Sequence, residues 1–128
     1  MLRDLHNSIK VSRAISPTRA ADNTALTGQG IDMQGFYACE FLVAIGTVAD
    51  ADATFTGEVQ ESTDNSTFTA AADKDLIGTE ANIAFNFGDD DEVRKIGYCG
   101  SLRYARLVLT PASNTGNFDL SAVCIQYA

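Results

Sequence analysis

The sequence predicts an all-β protein, an antiparallel two-sheet sandwich of jelly-roll type with seven or eight strands and at most one short helical turn. Three observations lead there. Apolar residues alternate with polar ones through most of the chain, as a strand with one buried face requires. Turn chemistry built from Gly, Pro, Asn and Asp separates these stretches at the spacing of sandwiches. Only one segment, residues 70–77, is Ala-rich and helix-like, with Gly78 placed to end it.

Taken in order, Ile9, Val11 and Ile15 alternate with polar neighbours in a first strand that Ser16-Pro17 is expected to stop, because proline cannot donate to a ladder. Residues 18–30 form a long polar connection. Residues 36–48 are the strongest apolar segment, with Tyr37, Cys39, Phe41, Val43 and Ile45 expected on the core face. The clearest local signal is residues 59–68: an alternating strand through Phe55, Gly57 and Val59, a turn at Asp64-Asn65-Ser66, and a return at Phe68, expected to re-enter the core. Residues 82–87 alternate through Ile83, Phe85 and Phe87, residues 89–92 break them, and residues 93–98 resume. In residues 102–110, Ala105, Leu107 and Leu109 oppose Tyr104, Arg106 and Val108 until Pro111 ends the run. Residues 118–127 close the chain, with Leu120, Ala122 and Cys124 opposing Val123, Ile125 and Tyr127.

A length of 128 residues suits one sandwich that needs no metal or disulfide to hold it. The reading divides it into an N-terminal arm, residues 1–34, holding a first strand and a long loop, and a sandwich domain, residues 35–128. Charge divides the same way. The arm carries Arg3, Lys10, Arg13 and Arg19 against three carboxylates, and the remainder carries five cations against fourteen. A net charge of −8 repels phosphate backbones, so no nucleic-acid partner is expected. The arm's four cations become candidates for contact with an acidic protein surface.

Chemistry is sparse. His6 is the single histidine, in a loose N-terminal segment, so no nucleophile–base set assembles and the chain is read as no enzyme. Cys39, Cys99 and Cys124 are spaced unlike zinc ligands and read as buried thiols of a reducing compartment. The acidic turn at residues 89–92, with Asp50 or Asp52, offers the carboxylates a calcium ion wants, but it lacks the spaced-aspartate loop and reads as a solvated turn. No cofactor and no metal are expected. Gly28-Gln29-Gly30 lacks the rest of any phosphate-binding motif. Tyr37, Tyr98, Tyr104 and Tyr127 leave a sugar-stacking role open. No signal peptide and no membrane span are read.

Several landmarks together resemble a known family. They are Ile31-Asp32-Met33-Gln34-Gly35-Phe36, Val59-Gln60-Glu61-Ser62 with Asp64-Asn65-Ser66-Thr67-Phe68, Asp75-Leu76-Ile77-Gly78, Ile96-Gly97-Tyr98, and residues 103–110 beginning Arg103-Tyr104-Ala105-Arg106. Over residues 31–127 the chain is similar to the capsid decoration, or cement, proteins of tailed bacteriophages. The resemblance implies a structural virion protein, made in the host cytoplasm, that binds the outer surface of an icosahedral capsid. There it would stabilise contacts between subunits of the major capsid protein, as a homo-oligomer (dimer or trimer). Arg3, Lys10, Arg13 and Arg19 are then candidate capsid contacts, with Glu58, Gln60 and Ser62 on the hairpin's polar face as further surface candidates. On this reading a chain lacking residues 1–20 keeps its fold and loses binding. The alternative is a carbohydrate-binding or tail- or fibre-associated module of a phage.

Overall fold

The computed structural model describes residues 4–128. A 3-10 turn at His6–Ser8 leads into the strands β1 (Ile9–Ala20), β2 (Leu26–Thr27), β3 (Ile31–Asp32), β4 (Ala38–Val48), β5 (Thr54–Ser62) and β6 (Thr69–Ala70). After a 3-10 turn at Asp73–Asp75 come β7 (Leu76–Ile77), another turn at Glu80–Ile83, then β8 (Phe85–Asn86), β9 (Val93–Tyr98), β10 (Tyr104–Ala112) and β11 (Phe118–Tyr127). The chain is all-β, a jelly-roll-like sandwich of two antiparallel sheets. Sheet A runs β1-β11-β4-β9-β7, and sheet B runs β2-β10-β5-β6, with β3 also on β10 and β8 on β5.

Alternation in the long strands decides the core. Cys39, Phe41, Val43 and Ile45 of β4 and Leu120, Ala122 and Cys124 of β11 face Phe55 and Val59 of β5 and Ala105, Leu107 and Leu109 of β10, all buried. Phe55 joins the two sheets at one end of the core. Its ring stacks on Phe85 at 4.4 Å and meets Phe118 of sheet A edge-on at 4.9 Å. Gly57 leaves the space that Ile83 fills: a Cβ there would lie 2.3 Å from the Ile83 Cδ1.

Several expectations need correction. β1 does not stop at Pro17 but runs to Ala20, because an edge strand needs hydrogen bonds on one side only and two irregularities, between Arg13 and Ile15 and between Ile15 and Thr18, absorb the break. It buries Ala14 and Ile15 against the sandwich and pairs with β11 from Ile9 to Ala20. Removing residues 1–20 would therefore strip an edge strand from sheet A rather than spare the fold. Pro111 likewise lies inside β10, paired opposite Phe55. Tyr37 precedes β4 and is 79 % exposed, so it is no core residue. The helix-like stretch 70–77 contains only the three-residue turn at Asp73–Asp75, with β6 and β7 on either side.

The sheets are stitched along the β1–β10 edge by the backbone of Gly28 and Gln29, with the Gln29 side chain donating to the Arg13 carbonyl as well. Gly28 N–H donates to the Leu107 carbonyl at 2.8 Å and Gln29 N–H to the Ala14 carbonyl at 3.0 Å. A Cβ on Gly28 would lie 2.7 Å from both the Ala14 and the Leu107 carbonyl oxygens. This close approach is the structural reason for glycine at that position.

Candidate functional site

The arm's cations are not gathered into one patch. Arg3 lies outside the described residues. Lys10 and Arg13 stand opposite Gln126 and Val123 on β1, three residues apart, so strand alternation sends them to different sides of sheet A. Arg19, at the far end of β1, is held by Asp119, with Nε–Oδ1 at 2.7 Å and Nη2–Oδ2 at 3.0 Å. Among the described residues Lys10 and Arg13 make no ion pair, and Arg13 reaches only the Gln29 side-chain carbonyl at 3.4 Å.

The hairpin candidates also separate. Ser62 is 2 % exposed, so it is not a surface contact: its hydroxyl donates to Asp64 and accepts the Asp64 and Asn65 N–H groups, closing the turn. Asp64 in turn accepts the Ser66 and Thr67 N–H groups, and these bonds hold its carboxyl below the usual carboxylate range. Glu58 and Gln60 lie on the outer face of sheet B, where the Gln60 amide donates to Glu58 at 2.7 Å and Arg106 Nε donates to Gln60 at 2.7 Å. The Arg106 guanidinium sits 4.0 Å from the centre of the Phe68 ring, so Phe68 covers the outside of sheet B instead of re-entering the core.

The family-like landmarks are latches of the fold. Asp32 and Arg103 form a two-pronged pair at 3.1 and 3.0 Å that fixes β3 beside the start of β10. Gln126, buried on β11, donates to the Asp32 backbone carbonyl at 2.8 Å and ties that latch to sheet A. Between the sheets the Tyr98 hydroxyl donates to Glu61 at 2.8 Å; burial first, and Glu61 second, push the Tyr98 hydroxyl far above the ordinary tyrosine range.

The acidic turn has structural work. Arg94 pairs with Asp89 at 3.2 Å and Glu92 at 2.7 Å and donates to the Ala84 carbonyl, and Asp90 accepts the Val48 N–H. Asp50 is engaged elsewhere, by the Thr115 N–H and hydroxyl. Among the described residues no three acids, cysteines or histidines come together to hold a metal ion. Cys39 and Cys124 are buried. The neighbouring Cys124 thiol, then burial, drive the Cys39 thiol well above its usual range. Cys99 is exposed, against expectation, because it follows β9 outside the sandwich. His6 is exposed in the first turn. Of the four tyrosines, Tyr98 is buried, Tyr104 lies beside the Arg103 guanidinium, and the Tyr37 N–H donates to the Tyr127 carbonyl.

One surface was missed altogether, the outer face of sheet A. Register places Val11, Ile125 and Glu40 in one row across the strands and Arg13, Val123, Leu42 and Lys95 in the next. Val11 is 60 % and Val123 39 % exposed, and Val93 and Ile77 extend the apolar surface. The signal was present in the second half of β11, where Val123, Ile125 and Tyr127 are apolar or aromatic opposite the buried Ala122 and Cys124. Such a strand asks for cover on both sides.

No family model matches the chain and no curated protein matches it. Among solved structures, a chain in the structure of infectious bursal disease virus, Gx strain, is similar in backbone, with a TM-score of 0.53 at 7 % identity. The likeness covers 93 % of this chain, which spans about a third (32 %) of the length of that one, and it shows the fold alone. No helix among the described residues is long and apolar enough to cross a membrane.

Proposed function

We propose that this chain is a structural virion protein that binds the outer surface of an icosahedral phage capsid and stabilises contacts between major capsid protein subunits. The observation that carries the reading is β1: a long edge strand of an acidic sandwich presenting Lys10 and Arg13 without ion-pair partners among the described residues. An edge strand offers backbone groups and charge to another surface at once. Support comes also from the sandwich fold, which a chain of a virus structure shares, and from the landmark resemblance in residues 31–127.

The work done would be linkage. A protein that binds only the assembled shell stabilises it by about 2.7 kcal/mol per site at a hundred times its dissociation constant, and many sites act on one particle. Binding would weaken as salt screens the β1 cations. The test is cosedimentation with purified DNA-free shells. The double substitution K10E/R13E, both at exposed positions, is expected to weaken binding at least tenfold while leaving the circular dichroism spectrum unchanged. Undiminished binding by the folded variant would remove β1 as the contact.

A further inference from the structure

We propose that the outer face of sheet A is the contact surface for a second copy of this chain, arranged as a two-fold pair of sandwiches packed sheet to sheet. Area is the first argument. β1, β11 and β4, of 12, 10 and 11 residues, with the six-residue β9, average about ten residues, and at about 3.3 Å per residue and about 4.8 Å between strands they offer roughly 650 Å² in projection, close to the roughly 800 Å² that each side of a stable interface buries. Composition is the second. Val11, Leu42, Ala44, Val93, Val123 and Ile125 give this face an apolar strip among Arg13, Glu40, Lys95 and Ser121, while the outer face of sheet B is lined by Arg106, Gln60 and Glu58 already bonded to one another.

Charge selects a copy of the same chain as the occupant. A molecule of net charge −8 repels its own kind except where its acids are scarce. On this face the acids are Glu40 in the middle and Asp119 at one end, the latter paired with Arg19, against Arg13 and Lys95. A two-fold axis running across the strands, between the Val11-Ile125-Glu40 row and the Arg13-Val123-Leu42-Lys95 row, lays each row on the other row of the second copy. Ile125 then meets Val123, Val11 meets the stem of Arg13, and Glu40 meets Leu42 with Lys95 beside it, so no like charges stack. Burial already holds the Glu40 carboxyl above its usual range, with Lys95 opposing. A cation from a second copy would complete its environment.

The inference does not rest on shell binding, and its readout is separate. Sedimentation velocity of the full chain from about 1 to 100 μM is expected to show a species of twice the 13.6 kDa chain mass. Val123→Glu and, independently, Ala44→Arg, both at exposed outer positions, are expected to give a folded monomer. Should one variant fail to fold by circular dichroism, the other decides. A wild-type chain that stays monomeric throughout, or an oligomer that survives the folded variants, overturns the proposal. If the monomeric wild type binds shells and V123E does not, the face belongs to the shell protein, which also overturns it. A dimer that ignores shells would leave this inference standing and remove the proposed function.

Discussion

The two outer faces of the sandwich are built from strands of similar length, yet they are finished differently. On sheet B the side chains satisfy each other: Glu58, Gln60 and Arg106 form a chain of bonds across β5 and β10, and Phe68 folds back beneath the guanidinium. On sheet A, Val11, Ile125, Val123 and Leu42 occupy the middle of the face, between Arg13, Glu40 and Lys95, with no such return. Exposed apolar residues scattered singly are ordinary on a protein surface, but Val11 and Val123 in adjacent rows, with half-buried Ile125 and Leu42 beside them and Val93 further along, form a continuous apolar strip. Sheet B ends in solvent, its side chains bonded to one another; sheet A, on the proposed pairing, ends where a second copy begins.

The comparison depends on both sheets being held in one frame, and the largest effect is expected from breaking that frame. Gly28→Val forces a branched side chain against the Ala14 and Leu107 carbonyl oxygens, where even a Cβ would lie 2.7 Å away. Overpacking at a site this tight costs about 1–3 kcal/mol, and the two atoms met first are backbone carbonyl oxygens rather than the end of a flexible side chain. Urea unfolding should show the loss as a lower midpoint; a midpoint equal to wild type would mean that the β1–β10 stitch is not structural.

Next comes the polar bridge between Tyr98 and Glu61. Tyr98→Phe removes the donor to Glu61 and is expected to cost about 1–3 kcal/mol, since Glu61 keeps its place between the sheets without that partner. The pH dependence follows in sign. The Tyr98 hydroxyl is raised in the folded state, so its contribution is complete below the unfolded tyrosine value of about 10 and is lost as pH climbs beyond it. Wild-type stability should therefore decline above about pH 10, and the Y98F profile should be flatter there. Identical alkaline slopes would place the bridge outside the stability of the fold.

A smaller loss should follow on the outer face of sheet B. Arg106→Ala ends both the bond to Gln60 and the contact with Phe68, for roughly 1 kcal/mol. A double-mutant cycle of Arg106 with Gln60 should give a measurable coupling, because the two share one bond. Additivity within about 0.3 kcal/mol would show that sheet B is no more finished than sheet A.

How much of this could be read from the chain alone depended on periodicity. The core face of β4 was legible because apolar and polar residues, or large and small ones, alternate there with period two, while in β10 and β11 the alternation separated two sets without choosing the buried one. The limits of β1 and β10 were not legible, because Pro17 and Pro111 read as stops while tertiary position, an edge in one case and a strand end in the other, tolerates them. Ser62 looked like surface by its place in the alternation, and only the turn's need for acceptors draws it inward. Charge count pointed to the arm, yet a twelve-residue strand spreads Lys10, Arg13 and Arg19 along its length, and Arg19 is already paired. The outer face of sheet A escaped notice because period-two reasoning asks which set is buried and stops there. When both sets are apolar, the second set is the informative one.

The smallest folding effect is expected on that face, and it gives the comparison its sharpest form. Val11 sits on the edge strand at 60 % exposure, opposite Ile125, so Val11→Thr exchanges a methyl for a hydroxyl that water can reach in the single chain. Threonine keeps the β-branched shape that a strand favours, and the change should leave unfolding within about 0.5 kcal/mol of wild type in dilute solution. In a paired molecule the same hydroxyl would be buried against the second copy without a partner, at about 1–3 kcal/mol, or roughly a 5- to 150-fold weaker association. The two quantities separate cleanly: urea unfolding at concentrations below the association range reads the first, and sedimentation across that range reads the second. A variant that unfolds like wild type but associates more weakly marks the outer face of sheet A as an interface. One that weakens folding and leaves association unchanged would make it ordinary surface, no different in kind from sheet B.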